Sequence, residues 1–200
     1  MTPSSSEDVQ QFHRWSRTYE RSLGQVFFFG PAHRAVLRIA AEGLDGRAPA
    51  SVLDIGCGTG RLLRRASARW PGAAIIGVDP AQGMIDVARQ LTPGADLHVG
   101  QGEHLPLPDS SVEAAFSTIS FHHWQDQAAG VREVARVLRG GGAFCLADVT
   151  LPLFTGRVIP HARIHTRGEM AGLFRQAGLA LRSQRAILGG TVLVTVGTKS

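Results

Sequence analysis

The sequence contains little of what secreted, metal-binding and membrane proteins usually carry. It has only two cysteines, Cys57 and Cys145, which stand far apart and match no spacing of metal ligands. We therefore expect no disulfide framework, and a cytoplasmic location is the default. No segment approaches the roughly 20 apolar residues of a membrane span, and the polar N-terminus shows no signal-peptide pattern.

Lysine is also scarce, so the formal net charge of +5 comes mainly from arginine. These basic residues are scattered and not interleaved with aromatics, which disfavours a nucleic-acid partner. The hydrophobic fraction of 44% suits a globular protein. We predict one domain over residues 1–200, with residues 1–6 disordered, a helical lid over 7–50 and an α/β core over 51–200. It would exist as a monomer or a homodimer.

From Ser51 onward, short apolar runs alternate with helical patterns. The clearest helical stripe consists of Val131, Val134, Ala135 and Leu138, spaced i, i+3, i+4, i+7. Such alternation predicts an α/β fold, a mostly parallel sheet with helices on both faces. The apolar runs typical of β-strands cover residues 52–55, 74–78, 97–99, 114–119 and 143–149.

The C-terminal part departs from this alternation. A helix is predicted over residues 166–178 and closed by Gly178. Strands over 180–188 and 191–198 follow, joined by Gly189 and Gly190. A two-residue glycine link predicts a β-hairpin, because primed turns need positive φ. The sequence therefore predicts a parallel sheet that ends in an antiparallel C-terminal hairpin.

A glycine-rich loop follows the first predicted strand and precedes a helix that begins near Arg61. Gly56 and Gly58 let the backbone turn tightly and approach a ligand, and the helix N-terminus attracts a polar or anionic group. The dinucleotide fingerprint would need a third glycine where Arg61 stands, which disfavours NAD. A glycine-rich turn without a ligand remains the alternative.

The next predicted strand ends in Asp79, a carboxylate that can accept hydrogen bonds from both hydroxyls of a ribose. Alternatively it caps the helix that is expected to begin near Pro80, and both roles are compatible. Pro80 and Met84 would then form an apolar edge along an adenosine.

Five segments together resemble the class I methyltransferases that use S-adenosylmethionine (SAM): LDIGCGTG, GVDP, GEHLPLPDSSVEAAFS, SFHHW and LRGGG. The likeness extends from about Tyr19 to Thr198 and is strongest to the small-molecule branch that includes the ubiquinone and menaquinone biosynthetic enzymes. The resemblance implies a Rossmann-like, seven-stranded, mostly parallel sheet whose last strand is antiparallel. That agrees with the predicted hairpin.

The resemblance also implies a set of cofactor contacts. The loop would lie against the methionine part of SAM, with Asp54 supporting it and Asp79 holding the ribose. Gln101 stands where relatives usually have an aspartate that accepts from the adenine amino group, and an amide oxygen can still accept that bond. The remaining implied contacts with SAM come from the loop residues Gly56, Cys57, Gly58, Thr59 and Gly60, from the backbone of Gly102 and from Ser117. Trp15, Tyr19 and the apolar run Val26, Phe27, Phe28 and Phe29 would form a lid over the cofactor.

The strip 120–124 follows the fourth predicted strand and would lie near the reacting sulfonium. If the acceptor is a hydroxyl, a base must remove its proton, and His122 or His123 is the candidate, with His122 preferred. The alternative is that these histidines only shape the pocket. Neighbouring residues on an extended strand point to opposite faces, so we expect no metal site.

The sequence therefore favours SAM-dependent methyl transfer to a small-molecule acceptor by direct displacement. The alternatives are a SAM-binding protein without catalysis, which serves as a regulator or partner, and methylation of nucleic acid, for which no typical motif is present. The atom that receives the methyl group stays open. The segment 151–167, rich in arginine and histidine, would help to close the acceptor pocket.

Overall fold

The computed structural model describes residues 29–150 and 164–200. Within these ranges the helices are α1 (Gly30–Gly43), α2 (Arg61–Arg69), α3 (Gln82–Leu91), α4 (Gln127–Val137) and α5 (Arg167–Gln176). The strands are β1 (Ser51–Ile55), β2 (Ala74–Asp79), β3 (Asp96–Val99), β4 (Val112–Thr118), β5 (Leu138–Val149), β6 (Leu179–Ile187) and β7 (Val192–Lys199). Short 3-10 turns form at Phe121–His123 and Leu188–Gly190.

The seven strands form one sheet in the order β3-β2-β1-β4-β5-β7-β6. β1 to β5 run parallel to one another, and β7 is antiparallel to both β5 and β6. The predicted fold, a mostly parallel sheet with an antiparallel C-terminal hairpin, is confirmed. The order of strands reverses between β1 and β4, which is the place where open α/β sheets bind ligands.

Helices cover both faces of this sheet. On one face, Val36 of α1, Leu63 of α2 and Ile85 of α3 pack in one buried cluster. On the other face, Val134 of α4 and Phe174 of α5 pack in a second cluster. All five residues of β1 are buried, as expected for a central parallel strand that both layers cover.

Helix α5 begins and ends where the sequence predicts. Thr166 caps it, accepting a hydrogen bond from the backbone N–H of Glu169, while the Glu169 carboxylate accepts from the backbone N–H of Thr166. This reciprocal capping box satisfies two donors at the helix N-terminus. Gly178 follows the helix with a φ of 79° in the left-handed region.

Two local predictions need correction. Leu138, placed on the helical stripe, is the first residue of β5, and the following glycines form an irregular bulge opposite β4. The link between β6 and β7 is a 3-10 turn rather than a two-residue primed turn, because positive φ begins one residue early, at Leu188.

α3 begins at Gln82, so Pro80 precedes it by two residues. Within residues 29–150 and 164–200, no helix is long and apolar enough to cross a bilayer.

Candidate functional site

A cavity of about 140 Å³ lies at the carboxyl-terminal edge of the parallel strands, around the point where the strand order reverses. Its walls come from the segments that follow β1, β2, β3 and β4, together with the residue that precedes α1. This is the location expected for a ligand of an open α/β sheet. The lining residues are Phe29, Ile55, Gly56, Gly58, Asp79, Pro80, Ala81, Met84, Gly100, Gln101, Gly102, Glu103, Thr118, Ile119, Ser120, His123, Trp124 and Gln125.

The glycine loop forms the floor of this cavity. The backbone N–H groups of Gly56 and Cys57 both donate to the carbonyl of Val78, at 2.8 and 3.1 Å, which fixes the loop to the end of β2. Gly56 and Gly58 have φ of 73° and 52°, a region that residues with a side chain rarely adopt. A Cβ on Gly56 would collide with the Ser120 side chain, whereas a Cβ on Gly58 would enter open space. Gly58 thus leaves room for a ligand.

Asp79 connects the loop to the next wall. Its Oδ2 accepts from the backbone N–H of Gly58 at 2.8 Å, and its Oδ1 accepts from that of Ala81 at 2.9 Å. Burial raises the pKa of Asp79 to about 6, although both backbone hydrogen bonds act in the opposite direction. Each carboxylate oxygen keeps a second lone pair, so the group can also accept hydrogen bonds from the hydroxyls of a ligand.

Two buried polar atoms beside the loop have no hydrogen-bond partner among the described residues. One is Oδ1 of Asp54, below the loop, and the other is Oγ1 of Thr118, on the cavity wall. Burial, and secondarily the nearby Asp79 carboxylate, raise the pKa of Asp54 well above its usual range. Buried polar groups are normally bonded, so the Thr118 hydroxyl suits a polar group of a ligand at this end of the cavity.

Another part of the cavity is lined by Met84, Pro80 and Gln101. Met84 is buried, while Pro80 and Gln101 are exposed at its rim. The space beside Gly102 is filled by the indole of Trp124, which a Cβ on this glycine would approach to 2.8 Å. These residues suit a planar heterocycle that has hydrogen-bonding edges. Gly56 and Gly58, suggested for the methionine part of SAM, thus line the same cavity as Met84, Pro80 and Gln101, suggested for the adenosine part.

Other predicted contacts lie behind the wall. Asp54, Cys57, Thr59, Gly60 and Ser117 do not line the cavity. Cys57 packs in the core, and the Ser117 hydroxyl is 2.9 Å from that of Ser120, which in turn donates to the carbonyl of Ile55. These residues shape the loop and the end of β4.

Sequence reasoning did not single out Thr118 and Ile119 as cavity residues. Both lie at the carboxyl end of β4, and Ile119 has a φ of 56° that turns the chain into the strip that follows. Both residues lie at the carboxyl end of a strand that neighbours β1, where open α/β sheets bind ligands, and this position could have identified them.

The structure separates the two candidate histidines. The strip forms a 3-10 turn instead of an extended strand, so the rings of His122 and His123 lie 4.1 Å apart, centre to centre. His123 lines the cavity, as do Ser120 and Trp124. The preferred candidate, His122, does not line it: its Nδ1 is 2.7 Å from Oδ1 of Asp148 and its ring is buried.

Some predictions concern residues that the structure does not describe. They are the expected disorder of residues 1–6, the lid contacts of Trp15 and Tyr19, and the role of most of the segment 151–167. Phe29 is the lid residue that the structure describes, and it lines the cavity. His165, also described, has its Nε2 2.7 Å from Oε1 of Gln127. No group of metal-binding side chains occurs within residues 29–150 and 164–200.

Comparison with known proteins gives consistent matches. A family model described as a methyltransferase domain matches residues 53–146. The malonyl-[acyl-carrier protein] O-methyltransferase of Dechloromonas aromatica is 33% identical over 189 residues, which cover 89% of this chain and 67% of that protein. The demethylmenaquinone methyltransferase of Chlorobaculum parvum is 30% identical over 113 residues, covering 56% of this chain and 46% of that protein. The chain thus spans about two thirds of the first relative and under half of the second.

Solved structures share the architecture. A SAM-dependent methyltransferase from Aquifex aeolicus superposes with a TM-score of 0.76 at 16% identity, covering 94% of this chain and 98% of that one. At this level of identity the match shows the common fold.

Proposed function

Because the chain belongs to the class I SAM-dependent methyltransferases, we propose that its cavity binds SAM and that the protein methylates a small-molecule acceptor. The observation that carries the proposal is the juxtaposition of Gly58 and Asp79. A glycine that opens space for a ligand donates its N–H to a buried carboxylate on the same cavity wall.

Each end of the cavity suits one part of the cofactor. The polar end, with the unpartnered Thr118 hydroxyl and with Asp54 beneath the loop, would hold the amino-acid tail. Asp79 would accept hydrogen bonds from the ribose, and Met84 and Gln101 would contact the adenine. When bound, the cofactor supplies a methyl group on a positively charged sulfur, which is the source of its reactivity.

The protein's own task is then to align the acceptor and exclude water. Ile119, Ser120 and His123 would form the wall at the methyl end, between the glycine loop and the strip after β4. His123 is the ionisable residue of this wall closest in sequence to β4, and we propose it as the group that receives a proton when the acceptor is a hydroxyl. His122 would support it from behind.

The lining of the cavity points to an apolar acceptor. Among the lining residues that the structure describes, the ionisable side chains are Asp79, Glu103 and His123, and none is lysine or arginine. Glu103 is already engaged, accepting from the backbone N–H groups of Gln125 and Asp126. The two named relatives methylate different acceptors, so the acceptor class stays a proposal based on this wall.

We also propose a cytoplasmic location, which free and buried cysteines would suit.

The test is release of S-adenosylhomocysteine from SAM in the presence of acceptors. The purified protein would be offered a panel of apolar phenols, quinols and carboxylic acids, with duplex DNA and transfer RNA as comparison acceptors. We expect product with at least one small molecule and none with nucleic acid. Tight SAM binding without turnover on any acceptor would favour the non-catalytic SAM-binding alternative instead.

A further inference from the structure

The strip after β4 is held in place by a carboxylate from the neighbouring strand. Asp148, near the end of β5, accepts from the backbone N–H of His122 and lies within hydrogen-bond distance of the His122 ring, both at 2.7 Å. It also accepts from the backbone N–H of Val149 at 2.7 Å. The side chains of Asp148 and His122 are only 6% and 8% exposed.

The Asp148 carboxylate has the hydrogen-bond donors that a buried charge needs. Removing a carboxylate from water is costly unless hydrogen bonds replace its hydration, and here three donors surround it. With both oxygens accepting backbone N–H groups, Oδ1 takes the ring Nδ1–H as well. An amide could not satisfy all three donors, because one of its two heads is itself a donor.

This pair reaches the cavity through the neighbouring histidine. The His122 ring contacts the ring of His123, which lines the cavity. The same turn is held from a second side, where the Gln127 side chain donates to the carbonyl of Phe121 at 3.0 Å. Phe121 packs edge-on against Trp124, with ring centres 5.0 Å apart, and Trp124 is also on the cavity wall.

We propose that Asp148 is a positioning residue for methyl transfer: through His122 it fixes the turn that presents His123 to the acceptor. The effect of Asp148 on methyl transfer rests on the proposed function, whereas its hydrogen bonds to His122 do not. It assigns Asp148 no contact with SAM or the acceptor. Its effect is on the acceptor side of the cavity, while the glycine loop and Asp79 on the cofactor side are held by other hydrogen bonds.

The first test observes the pair directly and needs no acceptor. In the wild-type protein, the Nδ1 proton of His122 should give a slowly exchanging, downfield proton resonance, assigned with nitrogen-15 histidine. Asp148→Ala, which leaves no acceptor for the ring, should abolish it. Asp96→Ala is the matched control, because Asp96 and His98 form a more exposed aspartate–histidine pair 3.0 Å apart on the edge strand β3. Persistence of the His122 resonance in Asp148→Ala would overturn the proposal.

The second test uses variants of His122 and separates positioning from general stability. The shorter side chain of asparagine can place an amide N–H close to the position of the ring Nδ1, whereas leucine has no donor to place there. We expect His122→Asn to keep slow amide exchange over residues 121–126 and wild-type affinity for S-adenosylhomocysteine. His122→Leu should speed exchange in this segment at least ten-fold while changing that affinity less than three-fold. Equal exchange in the two variants would contradict the proposed hydrogen bond.

Turnover provides the catalytic readout. With an acceptor from the panel, Asp148→Asn should lower kcat about ten-fold or more, because small misplacements of an aligned group are costly, while KM for SAM changes less than three-fold. A change in KM for SAM with an unaltered kcat would overturn the positioning role. Failure of the wild-type protein to bind S-adenosylhomocysteine would instead reject the proposed function and leave the proton resonance as a separate result.

Discussion

At the scale of single residues, Asp79 combines two opposing demands. It is buried, which raises its pKa to about 6 from the ordinary 3.8, yet the proposed binding of a ribose requires its charged form. The two backbone donors, Gly58 and Ala81, offset part of the cost of burying that charge. The charged form of Asp79 therefore lowers the stability of the fold and favours the binding of a ligand.

This conflict predicts opposite pH dependences for stability and binding. Because the pKa of Asp79 is raised in the folded state, the folded protein holds more protons than the unfolded one between about pH 4 and 6. The free energy of unfolding should therefore fall as pH rises through this window, and Asp54, whose pKa is also raised, contributes in the same direction. Over the same window the affinity for S-adenosylhomocysteine should rise.

Urea unfolding and calorimetric titration at pH 4.5, 5.5 and 6.5 measure the two quantities. In Asp79→Asn the affinity should be about ten-fold or more lower, since a hydrogen bond to a charged group contributes on the order of 1.5–3 kcal/mol. The dependence of its affinity on pH should also flatten. An affinity that is unchanged by this substitution would remove Asp79 from the binding site.

At the scale of elements, Gly58 in the loop after β1 can be compared with Gly46 in the loop before β1. Gly58 and Gly46 both have positive φ, 52° and 76°, and an added Cβ on either would meet no atom within 4 Å. They differ in place: Gly58 lines the cavity, and Gly46 lies between α1 and β1. The pair therefore separates backbone strain from obstruction of a ligand.

Alanine at either position should lower the free energy of unfolding by about 1–2 kcal/mol, the usual cost of left-handed backbone for a residue with a side chain. Only Gly58→Ala should weaken the binding of S-adenosylhomocysteine, by about ten-fold or more. Thermal unfolding and calorimetric titration of both variants check this. Equal, small losses of affinity in the two variants would show that Gly58 opens no ligand space.

Helix α4 shows a second specialised glycine. A Cβ on Gly130 would collide with the Trp124 ring, so alanine should destabilise the protein by about 1–3 kcal/mol and displace the indole from the cavity wall. Gly172 in α5 has open space around it, and alanine there should instead stabilise by up to about 1 kcal/mol. Chemical unfolding measures both. Stabilisation by Gly130→Ala would contradict the packing described here.

At the scale of the whole molecule, the strand order explains why distant residues form one site. The order reverses between β1 and β4, so the segments after four strands meet around one cavity. The match to class I methyltransferases extends beyond the loop, because the antiparallel β7 inserted between β5 and β6 belongs to the same architecture. A dinucleotide-binding protein would share the cavity's location and differ in the ligand it accepts.

Thermal unfolding in the presence of ligands tests that difference. A ligand that binds only the folded state at 100 times its Kd adds about 2.7 kcal/mol, which for a chain of this size raises Tm by roughly 5–10 °C. We expect this shift with S-adenosylhomocysteine and none with NAD. A shift with NAD alone would favour a dehydrogenase.

The sequence predicts the fold, and it places Gly58 and Asp79 together more readily than it places the residues of the strip after β4. Gly58 and Asp79 belong to a local pattern of strand, loop and acidic strand end, and local spacing is enough to place them together. Asp148 is 26 residues from His122, and only the parallel pairing of β4 with β5 brings them into contact. The 3-10 turn likewise depends on Asp148, Gln127 and the Trp124 packing, so no periodicity in the strip could reveal which histidine faces the cavity.

The most direct test of the central claim is a calorimetric titration of the folded wild-type protein with S-adenosylhomocysteine at pH 7.5. We expect saturable binding of one molecule per chain, because the open space at Gly58 and the carboxylate of Asp79 are already in place. A protein that unfolds cooperatively on heating but gives no heat of binding with this ligand or with SAM would contradict it.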